Sequence, residues 1–267
     1  MPLRLAPSFR EQLAETERPV IGMWVCSGSP LLAEVAAGSG LDWLLIDMEH
    51  SANTLESVQL QLQAVAAYPV TPLVRAPSND AVAIKQILDL GAQNLIVPMV
   101  SSAAEARDAV AATRYPPLGV RGVGSALARS ARWNRVDRYL LESAAHTSLT
   151  VQIETAAGVD AATEIAAIDG VDAVFVGPAD LSASMGLLGQ QTHPEVVAAV
   201  ERVFEAVKSA GKPVGVNAFD PSAADAYLAA GADFVAVGAD VALLARASEA
   251  LAARFIPASD ASDRESY

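Results

Sequence analysis

Gln152 and Glu154 close the run SLTVQIE (148–154) two residues apart, so on an extended strand both side chains leave the same face. A buried carboxylate there must find a metal, a cation or a proton. Asp180 follows the next apolar run, VFV, after the tight turn Gly177-Pro178-Ala179. Two carboxylates with one cysteine and three histidines in the whole chain suit a hard divalent ion, Mg²⁺ or Mn²⁺, completed by water and substrate. The alternative, that both only bond backbone at a sheet end, stays open at this point.

Other strand ends add groups of different chemistry. His50 stands beside Asp47 and Glu49 in DWLLIDMEH, and a neutral imidazole with a carboxylate partner is a general base near neutral pH. Arg75 ends TPLVR, where a fixed cation can face a developing oxyanion or simply form a rim ion pair. Trp24 and Asn217 end two further strands. Asp89 is placed differently, at the C-terminal end of the helix AIKQILD, where the helix dipole disfavours an anion. That end faces away from the rim of its own sheet.

The elements that must carry these residues repeat one unit. Short β-branched runs near 20–26, 42–48, 71–75, 94–99, 148–154, 172–177, 213–218 and 233–238 alternate with alanine-rich helical stretches. Eight such units predict a single-domain (β/α)₈ TIM barrel over residues 1–257, with catalytic groups at the C-terminal ends of the strands. A doubly wound sheet would want a glycine-rich turn after the first strand, and SGSP lacks that spacing. Asn79 reads as an N-cap for a helix over 80–90, and Ser102 with Glu105 as a capping box. Residues 114–146 interrupt the rhythm, with an extra helix expected in RWNRVDRYLLESAA, and read as a lid or an interface element. Residues 258–267 read as a disordered polar tail.

Composition bounds the rest. No apolar run in the 267 residues approaches the roughly 20 needed to cross a bilayer. The N-terminus lacks a secretory signal pattern, so a cytoplasmic protein is expected. A net charge of −13 argues against a nucleic-acid partner, which would need clustered Lys and Arg. The lone Cys26 excludes an intrachain disulfide framework.

The segments DWLLIDMEH (42–50), PLVRAP (72–77), GVRGVGSALARSARWN (119–134), VQIET (151–155), VFVGPADLSASMG (174–186) and FVAVGAD (234–240) resemble the HpcH/HpaI aldolase family. The resemblance runs from about residue 20 to 255 and implies a metal-dependent class II pyruvate aldolase. Its products would be an aldehyde and pyruvate, or a close analogue such as hydroxypyruvate. It makes Glu154 and Asp180 the ligands of a divalent ion (Mg²⁺, Mn²⁺ or Co²⁺), with no organic cofactor. His50 becomes the base at the aldol hydroxyl and Arg75 the stabiliser of the enolate. Gln152 and Gly177, Pro178, Ala179 and Asp180 become the oxo-acid pocket, and Trp24 a wall for the aldehyde.

The resemblance also implies a homohexamer with exchanged C-terminal helices, and an Asp89 that raises the basicity of a histidine. Since Asp89 lies away from its own rim, it would have to serve a neighbouring barrel. Met48 and Asn217 depart from the family pattern, and Asn217 in the pocket would favour a more polar aldehyde. Schiff-base chemistry is disfavoured, because none of Lys85, Lys208 and Lys212 ends a strand. Two rivals are a CoA-ester lyase of the citrate lyase β-chain type and a catalytically silent barrel that binds small acids.

Overall fold

Alternation of period two in the strands and of about 3.6 in the helices is what forces the chain into layers. The computed structural model describes residues 3–256. In chain order it contains α1 (Phe9–Glu15), β1 (Val20–Val25), α2 (Pro30–Ala37), β2 (Trp43–Asp47), α3 (Leu55–Ala64), β3 (Thr71–Arg75), α4 (Ala81–Asp89) and β4 (Asn94–Val97). These are followed by α5 (Ala103–Thr113), α6 (Tyr139–Glu142), β5 (Ser148–Ile153), α7 (Ala156–Asp160), α8 (Ala162–Ala166), β6 (Ala173–Val176) and α9 (Pro178–Ser184). The last elements are α10 (Pro194–Ser209), β7 (Val214–Asn217), α11 (Pro221–Ala229), β8 (Phe234–Ala239) and α12 (Asp240–Phe255). The eight strands pair in sequence order, all parallel, and β8 closes on β1. This is the expected (β/α)₈ barrel. Among the described residues no helix is long and apolar enough to cross a membrane. The tail expected at 258–267 lies outside the described residues.

Two apolar layers follow from the strand alternation. Leu149, Val151 and Ile153 of β5 pack outward against the helices, whereas Trp43, Leu45, Leu73, Ile96, Phe175 and Phe234 fill the barrel interior. The N-terminal end is plugged from below by α1. Phe9 is fully buried, its ring edge-on to Phe234 at 5.2 Å, and its N–H donates to Asn94 Oδ1 at 2.7 Å. Interior volume is balanced residue by residue: a Cβ on Gly22 would sit 2.3 Å from the Trp43 ring and 2.6 Å from the Trp43 carbonyl. Gly22→Ala is therefore expected to destabilise the fold by about 3 kcal/mol, the upper range for overpacking a tight core, as read from urea unfolding. An unchanged midpoint would mean the interior yields more easily than these distances imply.

Some local expectations change. The N-cap of α4 is Asp80, whose carboxylate accepts from the N–H groups of Val82 and Ala83, while Asn79 donates its amide to the Glu105 carbonyl. A carboxylate next to the first turn outcompetes the amide one residue earlier. Ser102 caps α5 as expected, but Glu105 accepts from the Ser101 N–H rather than that of Ser102, so the box is only half formed. The extra helix of RWNRVDRYLLESAA is reduced to the single turn α6, because Arg132, Trp133, Asn134 and Arg138 adopt left-handed backbone angles that break a helix. Finally, the insertion 114–146 leaves the C-terminal end of α5 and runs over the N-terminal face. It forms no lid over the rim of its own barrel.

The helix α12 buries only Asp240. Val241, Leu244, Leu251 and Phe255 lie along one side of it, all exposed within the single chain.

Candidate active site

Each strand contributes its last inward position to one end of the barrel, and there the filling changes from apolar to polar. Arg75 on β3 is 4% exposed and spread over three neighbours. Its Nε and Nη2 donate to the two oxygens of Asp47 at 2.8 and 2.9 Å, and its Nη1 lies 2.8 Å from Glu49 Oε2 in an ion pair without good hydrogen-bond alignment. The guanidinium stacks over Trp24 at 4.3 Å. The Trp24 Nε1–H in turn donates to Asn217 Oδ1 at 2.7 Å. Asp47 also accepts from the N–H groups of Glu49 and His50, at 2.9 and 3.2 Å, so one carboxylate shapes the loop and aims the arginine.

Glu154 is 1% exposed, and among the described residues it has no ion-pair partner within 4.0 Å. Its Oε1 accepts from the Met99 N–H at 2.7 Å and its Oε2 from Gln152 Nε2. Burial pushes its carboxyl up to about 7; these two bonds lower it, and the charges of Glu49 and Asp180 raise it again. Burial also raises Glu49, against the opposing pull of Arg75. Gln152 Oε1 is a buried acceptor with no donor among the described residues. Gly177 leaves room for these side chains at the wall of the site: a Cβ there would lie 2.7 Å from Glu154 Oε2 and 3.0 Å from Gln152 Nε2 and would displace both. Asp180 is exposed, in the first turn of α9, where no side chain caps the free amides that follow Gly177.

His50 reaches the same rim but is 64% exposed, its Nε2 3.9 Å from Glu49 Oε1. Asp89 is not brought to it. It lies at the opposite end of the chain's own barrel, 3.0 Å from the fully buried Arg121 of the insertion, which offsets its unfavourable place on the helix dipole. Trp24, His50, Arg75, Gln152, Glu154, Gly177, Pro178, Ala179, Asp180 and Asn217 therefore converge, and Asp89 stands apart.

Four participants were given no role of their own from sequence. Asp47 and Glu49 carried a signal, two carboxylates two apart at a strand end. Asp240 carried a weaker one: it opens α12 and accepts from the N–H groups of Cys26 and Ser27, tying down the loop after β1. Met99 carried none, since it acts through its backbone N–H, held by a left-handed turn at φ 58°. Cys26, pushed up to about 12 chiefly by burial, is not a nucleophile here.

Comparison with known proteins shows the family. The family model of HpcH/HpaI aldolase/citrate lyase matches residues 20–247. The 4-hydroxy-2-oxo-heptane-1,7-dioate aldolase of Salmonella arizonae is 53% identical over 248 residues, 93% of this chain and 94% of that protein. Among solved structures, an HpcH/HpaI aldolase/citrate lyase family protein from Burkholderia cenocepacia is 41% identical with a TM-score of 0.88, over 92% of this chain and 97% of that one. An HpcH/HpaI aldolase from Desulfitobacterium hafniense is 29% identical with a TM-score of 0.86, over 95% and 98% of the two chains. With a rim that joins a buried carboxylate to a buried arginine, and matches over nearly its whole length, the chain belongs to the HpcH/HpaI aldolase/citrate lyase family.

Proposed function

We propose that this chain is a class II aldolase that cleaves a 4-hydroxy-2-oxo acid, reversibly, to an aldehyde and pyruvate or a close analogue such as hydroxypyruvate. The observation that carries the reading is Glu154: a buried carboxylate with no ion-pair partner among the described residues, on the same rim as a guanidinium already shared by two other carboxylates. Such a rim has an excess of negative charge that a divalent ion would neutralise. Among the described residues no cluster of three or more His, Cys, Asp or Glu side chains could hold a metal ion. Glu154 and Asp180 would therefore hold it as a pair, with water and the oxo acid completing the shell, as hard cations such as Mg²⁺ and Mn²⁺ accept; Co²⁺ is a further candidate.

A bound ion supplies Lewis acidity toward the 2-oxo group. The chain's own residues do the rest. Gln152 and the open first turn of α9 orient the oxo acid, the amides of Ala179 and Asp180 suiting a carboxylate. His50 takes the proton of the C4 hydroxyl, the C3–C4 bond breaks, and Arg75 opposes the charge gathering on the enolate. Trp24 and Asn217 bound the side where the aldehyde leaves, and the amide of Asn217 favours a polar one. None of the three lysines reaches the rim, which argues against an imine mechanism. The name of the 53% identical relative favours aldol chemistry over a CoA-ester lyase or a silent binding barrel.

The working unit in this reading is a homo-oligomer, a hexamer, in which Asp89 of one copy supports His50 of another. The exposure of His50, the fixed Asp89 beside Arg121 and the uncovered apolar side of α12 support it, the last fitting a helix exchanged between copies.

Pyruvate release from several 4-hydroxy-2-oxo acids, with and without EDTA, tests the chemistry. Turnover is expected to vanish with EDTA and return with Mg²⁺, Mn²⁺ or Co²⁺; EDTA-resistant turnover rejects it. His50→Ala should lose turnover but keep metal binding. For the shared site, His50→Ala and Asp89→Ala chains are refolded together. Mixed oligomers that recover activity neither variant shows support it, and monomers active at full rate sink it.

A further inference from the structure

A cavity of about 690 Å³ opens at the N-terminal face, at the opposite end of the barrel from the carboxylate rim. It lies between the segment before α1, the end of α3, the starts of β3 and β4, and the insertion. Its volume falls within the range of small-molecule sites. One wall is apolar, formed by Leu5, Leu62, Val65 and Val70.

The other wall carries Arg129 and Arg132. Both point their Nη1 atoms at Gly91: the place a Cβ would take on that glycine is 2.8 Å from one and 2.9 Å from the other. Among the described residues neither arginine has an ion-pair partner within 4.0 Å. Each spends one N–H on a carbonyl, Arg129 on Leu90 and Arg132 on Arg129 itself. Two half-buried like charges this close lower each other's stability as cations unless an anion joins them, and burial and Arg132 do hold Arg129 below its ordinary range. The other charged side chains around the cavity, Arg4 and Glu15, are both exposed, so the lining has an excess of positive charge in a chain whose net charge is −13. Gln12 adds a buried amide oxygen, Oε1, that has no donor among the described residues.

We infer that this cavity is a binding site for a small organic anion, its carboxylate or phosphate head held by the paired Arg129 and Arg132 forks and its apolar body laid against Leu62 and Val65. Guanidinium forks bind both heads bidentately. The apolar wall selects an anion with a hydrocarbon or aromatic body over a bare ion. The inference does not depend on the reaction at the other end of the barrel.

Titration calorimetry on the intact oligomer tests it, with benzoate, phenyl phosphate and inorganic phosphate as probes at constant ionic strength. Saturable binding of one of the first two is expected, tighter than that of inorganic phosphate, and the preferred head names the source. Arg129→Gln with Arg132→Gln should weaken it by at least about tenfold, the scale of losing a bidentate charged contact. Arg107→Gln, on an exposed face, should leave it unchanged. If the double glutamine variant does not fold, Arg129→Lys with Arg132→Lys keeps the charge without the fork, and weaker but measurable binding is expected. The proposal is overturned by binding as tight as wild type in the glutamine or the lysine variant, or by wild-type protein that binds neither aromatic anion. It is equally overturned if the variants alter only the oligomer mass, which would mean that another copy's carboxylate occupies the arginines.

Discussion

Glu154→Gln is expected to remove divalent-metal binding and turnover together, and to make the metal-free protein more stable near neutral pH. The carboxyl is held up to about 7, against 4.5 in an ordinary chain, so between those values the folded state keeps a proton that the unfolded state has released. Stability of the metal-free protein therefore falls as pH rises through that window and levels off above about 7. The shift corresponds to about 3 kcal/mol. The glutamine removes this slope. It also keeps the hydrogen bonds, because Gln152 has an unused Oε1 and can turn its amide to accept from the new side chain. Urea unfolding in EDTA at pH 5 and pH 8, wild type against variant, isolates the effect of this one group. A wild-type excess loss near zero would refute the buried, uncompensated carboxylate. In calorimetry, metal affinity of the wild type should fall about tenfold per unit below pH 7, since ligand and proton compete for the same oxygens.

Arg75→Met should lower kcat/KM about a thousandfold, the scale of losing a preorganised charge at a developing oxyanion. It should also destabilise the fold by about 3 kcal/mol, because the buried Asp47 and the half-buried Glu49 are left without their cation. The two consequences separate in a double variant. Asp47→Asn with Arg75→Met removes one stranded carboxylate, so much of the stability should return while the rate stays low. If rate and stability recover together, Arg75 is only a structural ion pair. The single variant should also be less handicapped at pH 5 than at pH 8, since burial already raises Glu49 toward the protonated form.

These two residues also show how much of the site was legible beforehand. Glu154 stood out because an acidic residue in phase with Gln152 at the end of an apolar strand has few inexpensive structural uses. Arg75 stood out for the same reason, but its division between Asp47 and Glu49 depends on β2 and β3 lying side by side, with Asp47 level with Arg75. Met99 could not be found at all, because a backbone N–H has no residue type. Of the two readings of the insertion, lid or interface element, the structure removes the first: composition announced an interruption of the rhythm, whereas the end of the barrel it covers follows from the direction of α5.

Strand spacing, the period of the apolar residues and the polar residue at each strand end were enough to specify a closed eight-fold barrel and the inventory of its rim. These are local properties, written along a few consecutive residues, and each is enforced by burial on one face. What only the folded chain decided is pairwise and long-range: that Glu154 has no ion-pair partner among the described residues, that Arg75 has two carboxylates and a tryptophan, and that Asp89 rests on Arg121 far from His50. Charges separated by tens of residues acquire partners only when packing brings their elements together, and desolvation in that packed state sets which of them remain charged.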